Sequence, residues 1–116
     1  MNHPAVTLAR IALADATHPT AKRAVEALET FALDRSIVNE RRLLRATRTA
    51  LRYLDGLPYG GNRERLAMHC VVNAVQAVTS DGPKGRAGAL DCVVGTLSNA
   101  LCPARAAEIA RIAAAA

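Results

Sequence analysis

A chain of 116 residues, of which 51% are hydrophobic and 22% charged, has the size and composition of one globular domain and not of a disordered segment. Only three residues are aromatic and none is Trp, so the core must be built from Ala, Leu, Val and Ile, which favours helices packed on helices. The net charge of +5 and the pI near 9.7 favour acidic partners. We therefore expect a single all-α domain over residues 1–116, a compact bundle of five to six helices with no sheet.

The sequence carries no sign of export or membrane insertion. Arg10 interrupts the apolar stretch near the N-terminus, which is not the pattern of a signal peptide, and no apolar run approaches the ~20 residues that cross a bilayer. The cysteines, Cys70, Cys92 and Cys102, are odd in number and lack CxxC spacing, which indicates buried free thiols and neither disulfides nor a zinc site. We expect a cytoplasmic protein that does not contact membranes.

Turn and cap signals divide the chain into helices. The predicted helices cover residues 4–17, 20–33, 36–54, 62–79, 87–101 and 103 onward. His18 followed by Pro19 ends the first helix, while Ser36 and Asn62 are suited to capping the third and fourth. The segment DGLPYGG, residues 55–61, is the clearest loop.

The third predicted helix carries a stripe of arginines. Its members recur at intervals of four, three and four residues: Arg41, Arg45, Arg48 and Arg52. At ~100° of rotation per residue they fall within a sector of roughly 60°. The face predicted to turn inward holds Leu43, Leu44, Thr47, Ala50, Leu51 and Leu54. The stripe either binds phosphate groups or an acidic protein face, or it is a solvated surface whose arginines pair with Glu26, Glu29 and Asp34 of the preceding helix.

The fourth predicted helix is apolar around most of its circumference, which is typical of a central helix. The narrow polar sector holds His69, Asn73 and Gln76 at positions i, i+4 and i+7. This polar track is either a small-molecule site or interface centre, or simply the side of the helix that touches water. In the fifth helix, Gly88 and Gly95 lie two turns apart and predict unusually close packing.

No residues have the spacing that catalysis or metal binding requires. Adjacent His69 and Cys70 point ~100° apart on a helix, so they cannot act as a base and nucleophile pair. No second histidine follows His69 at i+4, the carboxylates are scattered, and no phosphate-binding loop occurs. We expect no enzyme activity, no metal and no cofactor.

The stretch KRAVEALETFALDRSIVNERRLLRATRTALRYL, residues 22–54, resembles the helix pair of small all-helical immunity domains of bacterial toxin systems. The similarity lies in a Val-Glu-Ala segment, a turn ending at Ser36, and a Glu- and Arg-rich helix that becomes Ala-rich. The fourth helix with His69 is loosely similar to the helix that follows in those domains. The resemblance implies a binding protein that neutralises a partner without a cofactor or catalytic group.

The leading hypothesis is thus a protein-binding module that inhibits or neutralises a macromolecular partner, as an immunity or phage-type inhibitor protein does, through an acidic surface of that partner. The candidate partner-binding residues are Arg41, Arg45, Arg48, Arg52, Tyr59, His69 and Asn73. The alternative is a nucleic-acid-binding protein that uses the same arginine-striped helix with Lys84 and Arg86. A homodimer is also possible, because a second copy could complete a core of such small side chains.

Overall fold

A computed structural model describes residues 3–59 and 62–115, and within these ranges every regular element is helical, which confirms the all-α prediction. The six α-helices are α1 (Pro4–Ala12), α2 (Pro19–Leu33), α3 (Ile37–Asp55), α4 (Arg63–Thr79), α5 (Pro83–Thr96) and α6 (Ala106–Ala114). A π-helical turn, Leu97–Leu101, continues α5, and a 3-10 turn, Pro103–Arg105, leads into α6. Gly60 and Gly61 of the predicted loop lie outside the described residues.

The first four helices begin within one residue of their predicted starts because their caps form as the sequence indicates. The Ser36 hydroxyl accepts a hydrogen bond from the backbone N–H of Asn39 at 3.2 Å. The Asn62 side-chain oxygen accepts one from the backbone N–H of Arg65 at 2.9 Å. His3 and His18 use ring nitrogen Nδ1 in the same way at the starts of α1 and α2. Each cap satisfies an N–H that has no partner within its helix.

Two predicted boundaries are wrong. Helix α1 ends at Ala12 and not at residue 17, since Ala14 and Asp15 donate to carbonyls three residues back and the chain tightens into turns. Helix α5 begins at Pro83 and not at residue 87. Gly82 adopts a φ of +82°, which the Gly-specific left-handed region allows, and Pro83 follows at the first helical position where no N–H is needed.

Helix α4 occupies the centre of the bundle, as predicted, and contacts α1, α2, α3 and α5. Nine of its residues are buried: Ala67, Met68, Cys70, Val71, Val72, Ala74, Val75, Ala77 and Val78. Leu8 of α1 and Leu28 of α2 are among the fully buried side chains of the surrounding helices. The small side chains of α4 let several neighbours approach one helix at once.

The inward face predicted for α3 is wrong in part. Only Leu43, Ala50 and Leu54 are buried, and they fall within a sector of ~40°. Leu44 remains 44% exposed and Leu51 38% exposed, because α2 and α4 cover just one side of this helix. Helix α3 therefore has more apolar surface than the core takes up.

Two smaller predictions also fail. A Cβ atom added at Gly88 or Gly95 would meet nothing within 4 Å, so these glycines face open space and do not permit close packing. Of the three cysteines only Cys70 is buried, while Cys92 is exposed and Cys102 is half-buried. Both glycines and Cys92 lie on the outer side of α5. The sequence pattern of this helix does not indicate which of its sides is exposed and which is buried.

Candidate functional site

The four arginines predicted to form a stripe do lie on the outer face of α3: Arg41, Arg45, Arg48 and Arg52 are all exposed. Among residues 3–59 and 62–115, no carboxylate lies within 4.0 Å of their guanidinium groups. The expected pairing with α2 is wrong because Glu29 instead binds Arg10, with 2.6 Å between Nη2 and Oε1, and Glu26 lies 4.0 Å from Lys22. Asp34 pairs with none of the four arginines. We call these four residues the arginine stripe.

Large apolar side chains are exposed beside the arginine stripe. Ile37, Leu44 and Leu51 are spaced seven residues apart, so they fall within ~40° of one another on the helix. We call these three residues the apolar ridge. On an ideal helix the centre of the ridge lies ~70° from the centre of the stripe, so the two run side by side along the exposed part of α3. Leu33, at the end of α2, and Val38 add further exposed apolar surface near the start of α3.

A shallow open groove of about 430 Å³ joins the two features. It is lined by Val38, Arg41, Leu44, Arg45 and Arg48. Apolar side chains thus flank a row of guanidinium groups that have no carboxylate partner within the described chain. Chemically, the groove can accept an apolar group and, next to it, a carboxylate or phosphate that two or more arginines hold through charge-assisted hydrogen bonds.

Tyr59 lies past the end of α3 and is 82% exposed. The Arg65 guanidinium carbon sits 4.0 Å from the centre of the Tyr59 ring, within the range of a cation–π contact. The same guanidinium donates to the carbonyl oxygens of Leu54 at 2.7 Å and Leu57 at 3.0 Å. Arg65 therefore ties the exposed ring to the C-terminal end of α3, and the role of Tyr59 as a partner anchor stays a prediction.

The polar track of α4 lies on a different face. His69 and Gln76 are exposed and Asn73 is half-buried, so this sector does touch water as the second interpretation expects. The buried side of α3 faces α2 and α4, whereas the arginine stripe points away from them. The structure therefore does not bring His69 and Asn73 together with the stripe, and no contact in the described chain assigns them a role.

The thiol next to His69 is unsuited to nucleophilic chemistry. Burial raises the pKa of the Cys70 thiol to about 12, so the thiol is protonated at neutral pH. Its neighbour His69 points toward solvent on the adjacent helix position. No group of three or more His, Cys, Asp or Glu residues in the described ranges could hold a metal ion.

A polar junction holds the C-terminal end of α3, and the sequence alone does not reveal it. The His18 and Tyr53 rings stack with centroids 3.7 Å apart and an interplanar angle of 17°, and the His18 backbone N–H donates to the Glu64 carboxylate at 3.2 Å. Partial burial, and then the nearby Glu64 carboxylate, raise the pKa of Tyr53. These three residues join the starts of α2 and α4 to the end of α3, which holds the groove-bearing helix in place.

The sequence matches no known protein family, and no curated protein or solved structure is significantly similar to it. None of the helices within the described residues is both long enough and apolar enough to cross a membrane.

Proposed function

We propose that the protein is a binding module that docks the outer face of α3 onto an acidic surface of another protein and acts by occupying that surface, as an immunity or phage-type inhibitor does. The observation that carries the proposal is the apolar ridge exposed directly beside the arginine stripe. Protein interfaces combine desolvated apolar groups with arginine in this way. The proposal involves no catalytic group, metal or cofactor.

The apolar ridge favours a protein over nucleic acid as the partner. A phosphate backbone gives the arginines partners but offers nothing to Ile37, Leu44 and Leu51. Single-stranded nucleic acid would add base stacking, but Tyr53 is already stacked on His18 and Arg65 covers one face of the Tyr59 ring. The nucleic-acid alternative predicts that binding depends on the arginine stripe, with Lys84 and Arg86, and not on the apolar ridge.

Tyr59 fits the proposal as a peripheral anchor. Its ring is exposed and is linked through Arg65 to the end of α3, so a partner that covers the ridge and extends past Leu54 would reach it. His69 and Asn73 lie on another face, and they contribute only if the partner also covers α4. Replacing Tyr59 should therefore weaken binding less than changes in the stripe or ridge, and replacing His69 should leave binding unchanged for a partner confined to α3.

The test is recovery of a partner from a lysate of the source organism, with and without nuclease. The variant Arg45→Glu/Arg48→Glu is compared with Lys84→Glu/Arg111→Glu, which changes the net charge equally at exposed cations of α5 and α6. We expect one protein to be retained after nuclease treatment by the wild type and the control, and to be lost with the stripe variant. Circular dichroism checks that all three proteins fold.

Two outcomes contradict the proposal. If only nuclease-sensitive material is retained, the surface binds nucleic acid. If the wild type and the stripe variant retain the same proteins, the stripe is a solvated surface without a binding role.

A further inference from the structure

We infer that the α3 surface takes up a single amphipathic helix of the partner protein, with an apolar stripe flanked on one side by acidic residues. The inference rests on the proposed function and names the structural element that the surface recognises. Its basis is the order of residues across the exposed part of α3: an apolar ridge, then an arginine stripe with no described carboxylate partner, with Val38 beyond it.

The length and repeat of the apolar ridge fit a helix. Ile37 and Leu51 are fourteen positions apart, which is ~21 Å along a helix, and each ridge residue lies ~10.5 Å from the next. Another helix repeats its own surface over the same ~10.5 Å, so two helices that cross at a shallow angle stay in step along the ridge. A strand repeats every ~6.6–6.8 Å on one face and would not stay in register.

The charges specify which helix fits. All four arginines lie on one side of the apolar ridge, while the other side carries Thr47 and Glu40. A partner helix therefore needs Asp or Glu along the flank that faces the stripe, and an acidic residue on the opposite flank would meet Glu40. Such one-sided complementarity selects the orientation of the partner and speeds association.

The same charges disfavour a second copy of this chain as the occupant. A symmetric dimer with antiparallel α3 helices would place the two arginine stripes beside each other, and one with parallel helices would set each stripe against a flank whose one carboxylate is Glu40. Helix α3 offers only Glu40 and Asp55 as counter-charges, one in the first turn and one at the last residue. Apolar contact between the two ridges would then be opposed by repulsion among guanidinium groups that outnumber these two carboxylates.

The test uses a displayed library of random peptides of about 20 residues, long enough for a helix to cover the ridge. Selection on the wild-type chain of 116 residues is followed by counter-selection on Leu44→Asp/Leu51→Asp, whose changed side chains are exposed. We expect enriched peptides with apolar residues at i, i+3 or i+4 and i+7, and with Asp and Glu concentrated on one flank. A selected peptide should lose about tenfold or more in affinity for Leu44→Asp/Leu51→Asp and should lose binding when a central residue is changed to proline.

A charge exchange sharpens the result. Changing the acidic flank of a selected peptide to lysine should weaken its binding to the wild type and restore it on Arg45→Glu/Arg48→Glu, whereas the Lys84→Glu/Arg111→Glu control should show no restoration. This rescue requires the flank and the stripe to be in contact and cannot come from a loss of folding.

Other outcomes overturn the inference and separate it from the proposed function. Acidic peptides that lack helical periodicity, or that tolerate proline, would refute the helix while leaving an acidic protein partner in place. The same holds if no peptide depends on α3 although the lysate experiment recovers a stripe-dependent protein. Binding of a duplex of about 20 base pairs that needs the arginines but is unaffected by Leu44→Asp/Leu51→Asp would refute both.

Discussion

Helices α3 and α4 are neighbours of similar length that use their apolar residues in opposite ways. Helix α4 has 17 residues and buries nine of them, while α3 has 19 residues and buries three. The apolar residues of α4 are needed for the fold. Those of the apolar ridge on α3 are not, so they are available for a partner. This difference is the reason for proposing a binding surface on α3.

The difference arises from position in the bundle. Helix α4 is contacted by α1, α2, α3 and α5, whereas α3 packs mainly on α2 and α4 along one side. A helix at the edge can bury only the sector that faces its neighbours, whatever its composition. Exposed leucine and isoleucine at an edge, next to cations without described carboxylate partners, then mark a surface suited to binding.

Introducing a charged side chain should show the largest difference in stability between a substitution in α4 and one in α3. Val71 of α4 is fully buried, so Val71→Asp places a carboxylate where water cannot solvate it, and we expect the domain to unfold at 25 °C. Leu51→Asp on α3 should remain folded with a melting temperature within a few degrees of the wild type. Thermal unfolding followed by circular dichroism checks both, and a folded Val71→Asp would contradict the central position of α4.

A pair of adjacent leucines tests the comparison within α3 itself. Leu43 is fully buried and Leu44 is 44% exposed. Leu43→Ala should lower the free energy of unfolding by about 2–4 kcal/mol, because it leaves a cavity, and Leu44→Ala should lower it by less than about 1 kcal/mol. Urea denaturation measures both values. Equal losses would mean that something covers the ridge in solution, and then Leu44 would not be free to meet a partner.

Arg65 links the two helices, and its removal should have a smaller effect. Its guanidinium donates two hydrogen bonds to carbonyls at the end of α3, those of Leu54 and Leu57. Arg65→Ala removes both of these bonds, although the Leu54 carbonyl still accepts one from the Leu57 backbone N–H at 3.0 Å. We expect the free energy of unfolding to fall by about 1–3 kcal/mol. Arg86→Ala is the control, since Arg86 is exposed and donates one bond, to the Ser80 carbonyl at 3.1 Å. Similar losses for the two variants would show that Arg65 does not hold the end of α3.

Much of the fold could be predicted from local chemistry. Side-chain caps such as Ser36 and Asn62 act within one turn, so they place helix starts accurately. The apolar circumference of α4 predicts its central place without knowledge of its neighbours. The exposure of the arginine stripe follows from its spacing in the same way.

The remaining features depend on distant parts of the chain. Periodicity gives the direction of the buried side of α3, but not how wide a sector α2 and α4 cover, so the sequence predicts Leu44 and Leu51 in the core although both are exposed. The junction of His18, Tyr53 and Glu64 joins residues far apart in sequence and has no local pattern. For the same reason the expected ion pairs of α2 with the arginine stripe are wrong, because Glu29 meets Arg10 of α1 instead.

Glycine substitutions on the outer side of α5 should have the smallest effect on stability, and they allow a last comparison with α3. Gly88 and Gly95 lie inside this helix and an added Cβ would meet nothing, so Gly88→Ala and Gly95→Ala should each raise the free energy of unfolding by about 0.5–1 kcal/mol. Gly82→Ala should lower it, since Gly82 has a φ of +82°. Urea denaturation at two protein concentrations distinguishes the explanations. A destabilising Gly95→Ala whose effect grows with concentration would mean that a second copy covers α5, so the homodimer would form there while the α3 surface stayed free for another protein.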